Sequence, residues 1–137
     1  MKLRIIPFVI ALLSCTRDKE VIPSDGESEK SVCNSLAVRV GHTLYISGIV
    51  GGVGRDMKGQ IETAYEILGL TLKRFKGSPS DVVSERIYTM DMDGFLSNGG
   101  IRSAFYGDHF PASTWIEVRR LVDTGLLVEI EAVTEIP

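Results

Sequence analysis

The period of the apolar residues changes twice along this chain, and that switch decides which elements it can build. Leu36, Val38 and Val40 recur at every second position, Gly41-His42 interrupts, and Leu44–Val50 (LYISGIV) resumes an apolar, β-rich run. Two such runs around a glycine turn predict a hairpin. From about Gln60 to Phe75 the period becomes helical, with Ile61, Ala64, Tyr65, Leu68, Leu72 and Phe75 on one face. Lys73, Arg74 and Lys76 crowd the last turn, and Gly77 reads as the stop. Ser78-Pro79-Ser80-Asp81 reads as a turn and Val82–Met90 as a β-branched strand. Ile101 and Phe105 mark a second helix within Phe95–His109, weakened at its start by Gly94, Gly99 and Gly100 and ended by Pro111. Ser113–Val118 and Leu126–Thr134 read as the closing strands.

The resulting order, β-β-α-β-α-β-β, is that of an α+β domain with two helices on one face of a mixed, mostly antiparallel sheet. The sheet's second face must also be covered. Glu129 and Glu131 alternate into the last strand, so a second apolar core on that face is not expected; a subunit interface with polar groups is. A chain of 137 residues is one domain's worth, with little core to spare, which makes oligomerisation useful.

The N-terminus is a different polymer. In MKLRIIPFVIALLSC, Lys2 and Arg4 precede an apolar run, Ile5–Leu13, too short for a membrane-spanning helix of ~20 residues. The run matches the apolar core of a secretory signal. Its end, Leu12-Leu13-Ser14-Cys15, resembles the lipobox of bacterial lipoproteins, which implies cleavage before Cys15 and lipid attachment to its thiol. The expected organisation is a signal peptide over 1–14, a lipidated Cys15 with a flexible tether over 15–30, and a folded domain over 31–137. Removal of Lys2 and Arg4 would take the net charge from −3 to −5. The expected location is the bacterial cell envelope, with a periplasmic or cytoplasmic protein as the alternatives.

Several chemistries are not suggested. Cys15 and Cys33 are too few for a disulfide framework, and Cys33, His42 and His109 show no metal-ligand spacing, so no metal site is expected. Gly51, Gly52 and Gly54 read as a loose loop, since no phosphate-binding fingerprint follows, and no cofactor is expected. A net charge of −3 with no basic run argues against nucleic-acid partners. Asp91 and Asp93, between strand and helix, read as capping or solvated residues; His42 and His109 read as surface residues.

Five segments, in this order and spacing, resemble the Rid/YjgF family: Leu44-Tyr45-Ile46-Ser47-Gly48, Gly77–Val83 (GSPSDVV), Asp91-Met92-Asp93-Gly94-Phe95, Phe110-Pro111-Ala112, and Val128-Glu129-Ile130-Glu131-Ala132. The resemblance implies a chorismate-mutase-like fold and a homotrimer with inward-facing sheets and three ligand clefts at the subunit boundaries. It also implies hydrolysis of reactive enamine or imine intermediates to 2-oxo acids and ammonia. In that chemistry a guanidinium grips the substrate carboxylate as a fork, and a carboxylate orients water.

Carried over by position, Ser47 matches the family's ligand-contacting serine and Glu131 the water-positioning carboxylate. The family's Pro-Ala-Arg-Ser motif reads Pro111-Ala112-Ser113-Thr114 here, so Ser113 stands where the guanidinium is expected. Trp115 stands where a small residue is usual, Asn34 where a tyrosine is, and Gly99 where a helix asparagine is. Ser113 offers one hydroxyl donor and no charge, and the loss of two charge-assisted hydrogen bonds at ~1.5–3 kcal/mol each would cost turnover heavily. The expectation is a trimer that binds a small molecule through Asn34, Ser47, Ser113 and Trp115 without efficient deaminase activity. The alternative is a deaminase with altered substrate preference.

Overall fold

A computed structural model describes residues 18–23 and 34–137. The expected signal, the lipidated Cys15, Cys33 and most of the tether lie outside the described residues. Within 18–23, however, Lys19–Pro23 forms strand β1, paired antiparallel with the next strand, although a structureless tether was expected there. Its phase explains the pairing: Ile22 falls opposite Ala37 and is buried on the same face.

Strands β2 (Ser35–Val40) and β3 (Thr43–Val50) form the expected hairpin, with Gly41 at φ +63° in its turn. Helix α1 (Met57–Arg74) follows, then a 3-10 turn over Pro79–Asp81 and strand β4 (Val82–Thr89). The expected second helix is two: α2 (Met92–Ser97) and α3 (Gly99–Tyr106), broken at Asn98. Asp91 caps α2, its Oδ1 accepting from Gly94 N–H at 2.9 Å, as a carboxylate between strand and helix suggested. Strands β5 (Ala112–Glu117) and β6 (Val128–Glu135) complete the chain.

The six-stranded sheet has the order β1-β2-β3-β6-β4-β5; only β4 and β5 run parallel. Sequence-adjacent β5 and β6 are therefore not neighbours: β6 inserts between β3 and β4. This is the α+β architecture read from the residues, with an added edge strand and a split helix.

One face of the sheet carries the core. Ile61, Ala64, Tyr65, Leu68 and Leu72 of α1 pack onto Leu44, Ile46, Ile87, Val128 and Ile130. Burying a Leu or Ile contributes roughly 1.5–3 kcal/mol relative to leaving it exposed, so this face drives folding. Gln60 is buried with it and fully used. Its Nε2 donates to Arg55 C=O and Gly125 C=O, and its Oε1 accepts from Leu127 N–H, tying the helix start to the entry of β6.

The opposite face is open. One row crosses all six strands, Val21-Val38-Tyr45-Val133-Ser84-Ala112, and within it Val21 and Tyr45 are about half exposed.

Candidate functional site

The open face gathers one set of expected residues. On β3 the register slips between Ile46, opposite Ala132, and Ile49, opposite Ile130, so Ser47 and Gly48 together face Glu131. This is a β-bulge, a device that re-aims side chains. Ser47 Oγ donates to Ser35 C=O at 2.6 Å, and its lone pairs remain as acceptors. A cleft of about 100 Å³ beside the bulge is lined by Asn34, Ser47 and Gly48, with Ile67 of α1. The structure thus unites Asn34 and Ser47, two residues placed together by resemblance alone.

Glu131 is engaged elsewhere. Arg86, its partner across β4–β6, binds its carboxylate through Nη1, and the two line a separate cleft of about 140 Å³ with Tyr45 and Ser84. That bond and the adjacent negative charge raise the Arg86 pKa above the ordinary guanidinium value. A guanidinium therefore does stand beside Glu131, but it is turned onto that carboxylate.

Glu129, which the sequence reading did not select, is the less committed acid. Its carboxylate lies over Gly48 so closely that a Cβ at position 48 would collide with it. Burial, and secondarily the charge of Glu131, lift its pKa above the usual carboxylate value. The two acids share an open depression with Tyr88 and Arg120. The signal was present in the alternation Glu129-Ile130-Glu131, which sends both carboxyls to one face, but nothing in the pattern tells which one is paired.

Ser113 and Trp115 lie on the other side of the sheet. Ser113 is opposite Glu85 and Trp115 opposite Ile87, both core-facing positions of β4. Two strands, β6 and β4, separate them from Ser47, so a single chain does not bring Ser113 and Trp115 to Ser47 and Glu131. The expected cleft lies between subunits, so the separation of the two pairs within one chain is compatible with their meeting across a subunit boundary.

Ser113 joins a buried polar cluster around Glu85, which is 1% exposed. Glu85 Oε1 accepts from Tyr65 Oη and Tyr106 Oη, each at 2.8 Å; Oε2 accepts from Arg102 Nε at 2.8 Å and Ser113 Oγ at 3.1 Å. Ser113 Oγ accepts in turn from Trp115 Nε1 at 2.6 Å. Burial first, then the Glu85 carboxylate, drive both tyrosine pKa values far above that of a free phenol. Glu85 and Arg102 escaped the sequence reading. Their only trace is phase, Glu85 in register with Ile87 and Arg102 on α3 between Ile101 and Phe105.

Among the described residues no group of His, Cys, Asp and Glu is placed to hold a metal ion, and no helix is long and apolar enough to cross a membrane.

Residues 31–136 match the model of the family described as Endoribonuclease L-PSP. A RutC family protein of Pyrococcus horikoshii is 30% identical over 125 residues, covering 84% of this chain and 96% of its own. A RutC family protein of Pyrococcus abyssi is 29% identical over 125 residues, covering 84% of this chain and 95% of its own. Among solved structures, a YjgF/YER057c/UK114 family member from Mycobacterium tuberculosis superposes with a TM-score of 0.79 at 31% identity, covering 87% of this chain and all of its own. RidA from the Antarctic bacterium Psychrobacter sp. PAMC 21119 superposes with a TM-score of 0.71 at 28% identity, covering 85% of this chain and 94% of its own. With the family model spanning most of the chain, a relative at 30% identity and these superpositions, this protein belongs to the YjgF/RidA family.

Proposed function

We propose that this protein assembles as a homotrimer, binds a small metabolite in clefts between subunits, and has no efficient imine deaminase activity. The observation that carries the reading is the state of Ser113. At the position where the resemblance expects a free guanidinium there is a hydroxyl, whose one proton goes to Glu85 and which accepts from Trp115. The guanidinium beside Glu131 is paired with that carboxylate through Nη1. Assembly is supported by the apolar row on the open face, which a single copy leaves wet.

The test is imine hydrolysis by the full chain beside Ser113→Arg, with sedimentation run on both. The expected result is a trimer, no turnover above background in the wild type, and measurable turnover in the variant. Wild-type turnover, or a monomer, would overturn the reading. Glu129 supports a second reading, a deaminase of altered preference, because a partly desolvated carboxyl beside the Ser47–Gly48 bulge suits a general base. If the wild type is active, Glu129→Gln will abolish turnover and Glu131→Gln will weaken it less.

The N-terminal sequence supports placing the protein at the cell envelope through a lipid on Cys15. Metabolic labelling with a fatty acid is expected to mark the wild type and not Cys15→Ala; equal labelling of both would sink that placement.

A further inference from the structure

Strand β1 begins at Lys19, four positions after Cys15. Asp18 C=O accepts from Gly41 N–H at 3.5 Å, so the chain is already held at the β2–β3 turn there. Only Thr16 and Arg17 separate Cys15 from Asp18, and three Cα steps reach at most about 11 Å. A free tether over 15–30 would spread over roughly 20 Å. The screening length of physiological salt is about 8 Å. A domain tied at Asp18 therefore stays close enough to feel a charged surface to which Cys15 is fixed; a domain tied at Ser31 does not.

The end of the sheet that Asp18 enters is also its basic end. Ile136 N–H donates to His42 C=O at 2.8 Å, and Gly77, just past α1, lies against Ile136. The start of β1, the β2–β3 turn, Ile136 and the end of α1 thus form one surface. Lys19, Lys73, Arg74 and Lys76 are exposed on it, and Arg39 is half-buried beside the turn. These five bases meet four acids, Asp18, Glu20, Asp81 and Glu135. Two of the acids are engaged locally: Asp81 accepts from Ser78 N–H and Oγ, and Glu135 from Thr43 Oγ1. The remaining described residues carry six bases against eleven acids. Charge is therefore polarised along the strands, with the positive end at Asp18.

We propose that this end is a membrane-contact surface, which lies against anionic lipid headgroups and is held there by the lipid on Cys15 together with Lys19, Lys73 and Lys76. The opposite end, with Glu117 and Asp123, then points away from the bilayer. The inference rests on the envelope placement proposed above and not on the ligand clefts. Neither the lipid nor the charge suffices alone. A lipid fixes the distance of Asp18 from the bilayer but leaves the domain free to pivot. The domain as a whole is acidic, so an anionic surface repels most of it and attracts only this end. A cyclic trimer would set its three copies of this end at one height along the three-fold axis, so that one bilayer meets all three.

The experiment uses the full lipidated chain with Cys33→Ser, so that a thiol dye attaches only at an introduced cysteine. Pro137→Cys places the dye beside Ile136, and Val122→Cys places it at the far end, where Val122 is 77% exposed. Strand β6 separates the two ends by about 25 Å, at ~3.3 Å for each of its eight residues. Each labelled chain is reconstituted into vesicles of phosphatidylcholine and phosphatidylglycerol in equal parts, carrying an energy acceptor on the headgroups. Transfer from position 137 is expected to be at least threefold more efficient than from position 122. Lys73→Gln with Lys76→Gln, or a fifteen-residue Gly-Ser insertion between Arg17 and Asp18, is expected to cut that contrast at least twofold. Vesicles of phosphatidylcholine alone are expected to lower it too, and they decide without any charge substitution should the Gln variant unfold. Equal transfer from the two positions overturns the proposal, as does a contrast unchanged by the Gln variant, by the insertion or by removal of the anionic lipid. Mass spectrometry of the same preparation separates the two readings. An unlipidated Cys15 overturns the envelope placement and this inference with it, whereas a lipidated chain with equal transfer overturns this inference alone.

Discussion

Lys76 carries a conformation that a side chain resists. It is the only non-glycine residue with positive φ among the described residues, at +61°. Its N–H bonds to Lys73 C=O at 3.0 Å, and Gly77 N–H reaches back to Leu72 C=O at 2.9 Å, which together close α1 in a Schellman motif. The glycine expected to stop the helix is thus one position late. Gly77 serves a different need, because a Cβ there would press on Ile136 Cγ2 at 3.1 Å. The left-handed region costs an L-residue roughly 1–2 kcal/mol, partly offset by the flexibility glycine adds to the unfolded chain. Lys76→Gly is therefore expected to stabilise the protein by about 1 kcal/mol, seen as a melting temperature several degrees higher. Gly77→Ala is expected to lower it; a rise for Gly77→Ala would show that the assignment is reversed. Gly51 corrects a similar expectation. Read as part of a loose loop, it sits against the Gln60 backbone with no room for a Cβ.

At the scale of elements, one carboxylate joins α1, β4, α3 and β5, since Tyr65, Glu85, Arg102 with Tyr106, and Ser113 come from those four elements in turn. Removing the charge of Glu85 leaves Arg102 without its counter-ion, and breaking a buried pair costs about 3–5 kcal/mol. Removing a single neutral donor costs about 1–2 kcal/mol. Denaturant unfolding should then rank Glu85→Gln well below Tyr65→Phe in stability; equal losses would mean that the pair is not buried in solution. This cluster also marks how far the residue pattern could be read. Periodicity located the β2–β3 hairpin, α1 and β4, because each is a local amphipathic signal. It missed the insertion of β6 between β3 and β4 and the parallel β4–β5 pair, since register between distant strands is set by packing that no short window contains. The grouping of Ser113 with Ser47 and Glu131 comes from motif position and a cleft expected between subunits, not from periodicity. Motif position identifies a residue, but only the phase of β5 against β4 shows which face of the sheet it serves.

For the whole molecule, the tyrosine hydroxyls on Glu85 make stability depend on pH at the alkaline end. Tyr65 and Tyr106 both have folded-state pKa values raised, chiefly by burial, far beyond the unfolded value near 10. The native state therefore keeps both protons at pH values where the unfolded chain releases them. Their contribution is complete below about pH 10 and is lost as the pH climbs above it. With two protons held, unfolding free energy should fall by up to about 2.7 kcal/mol per pH unit on their account, and replacing one tyrosine should halve that slope. Measured as denaturant midpoints from neutral pH to beyond pH 11, Tyr65→Phe should be less stable than the wild type at neutrality, and the gap should narrow as the solution becomes alkaline. A gap that stays constant across that range would mean that Tyr65 ionises alike in the folded and unfolded chain, and that the hydroxyl cluster around Glu85 does not hold its protons as a unit.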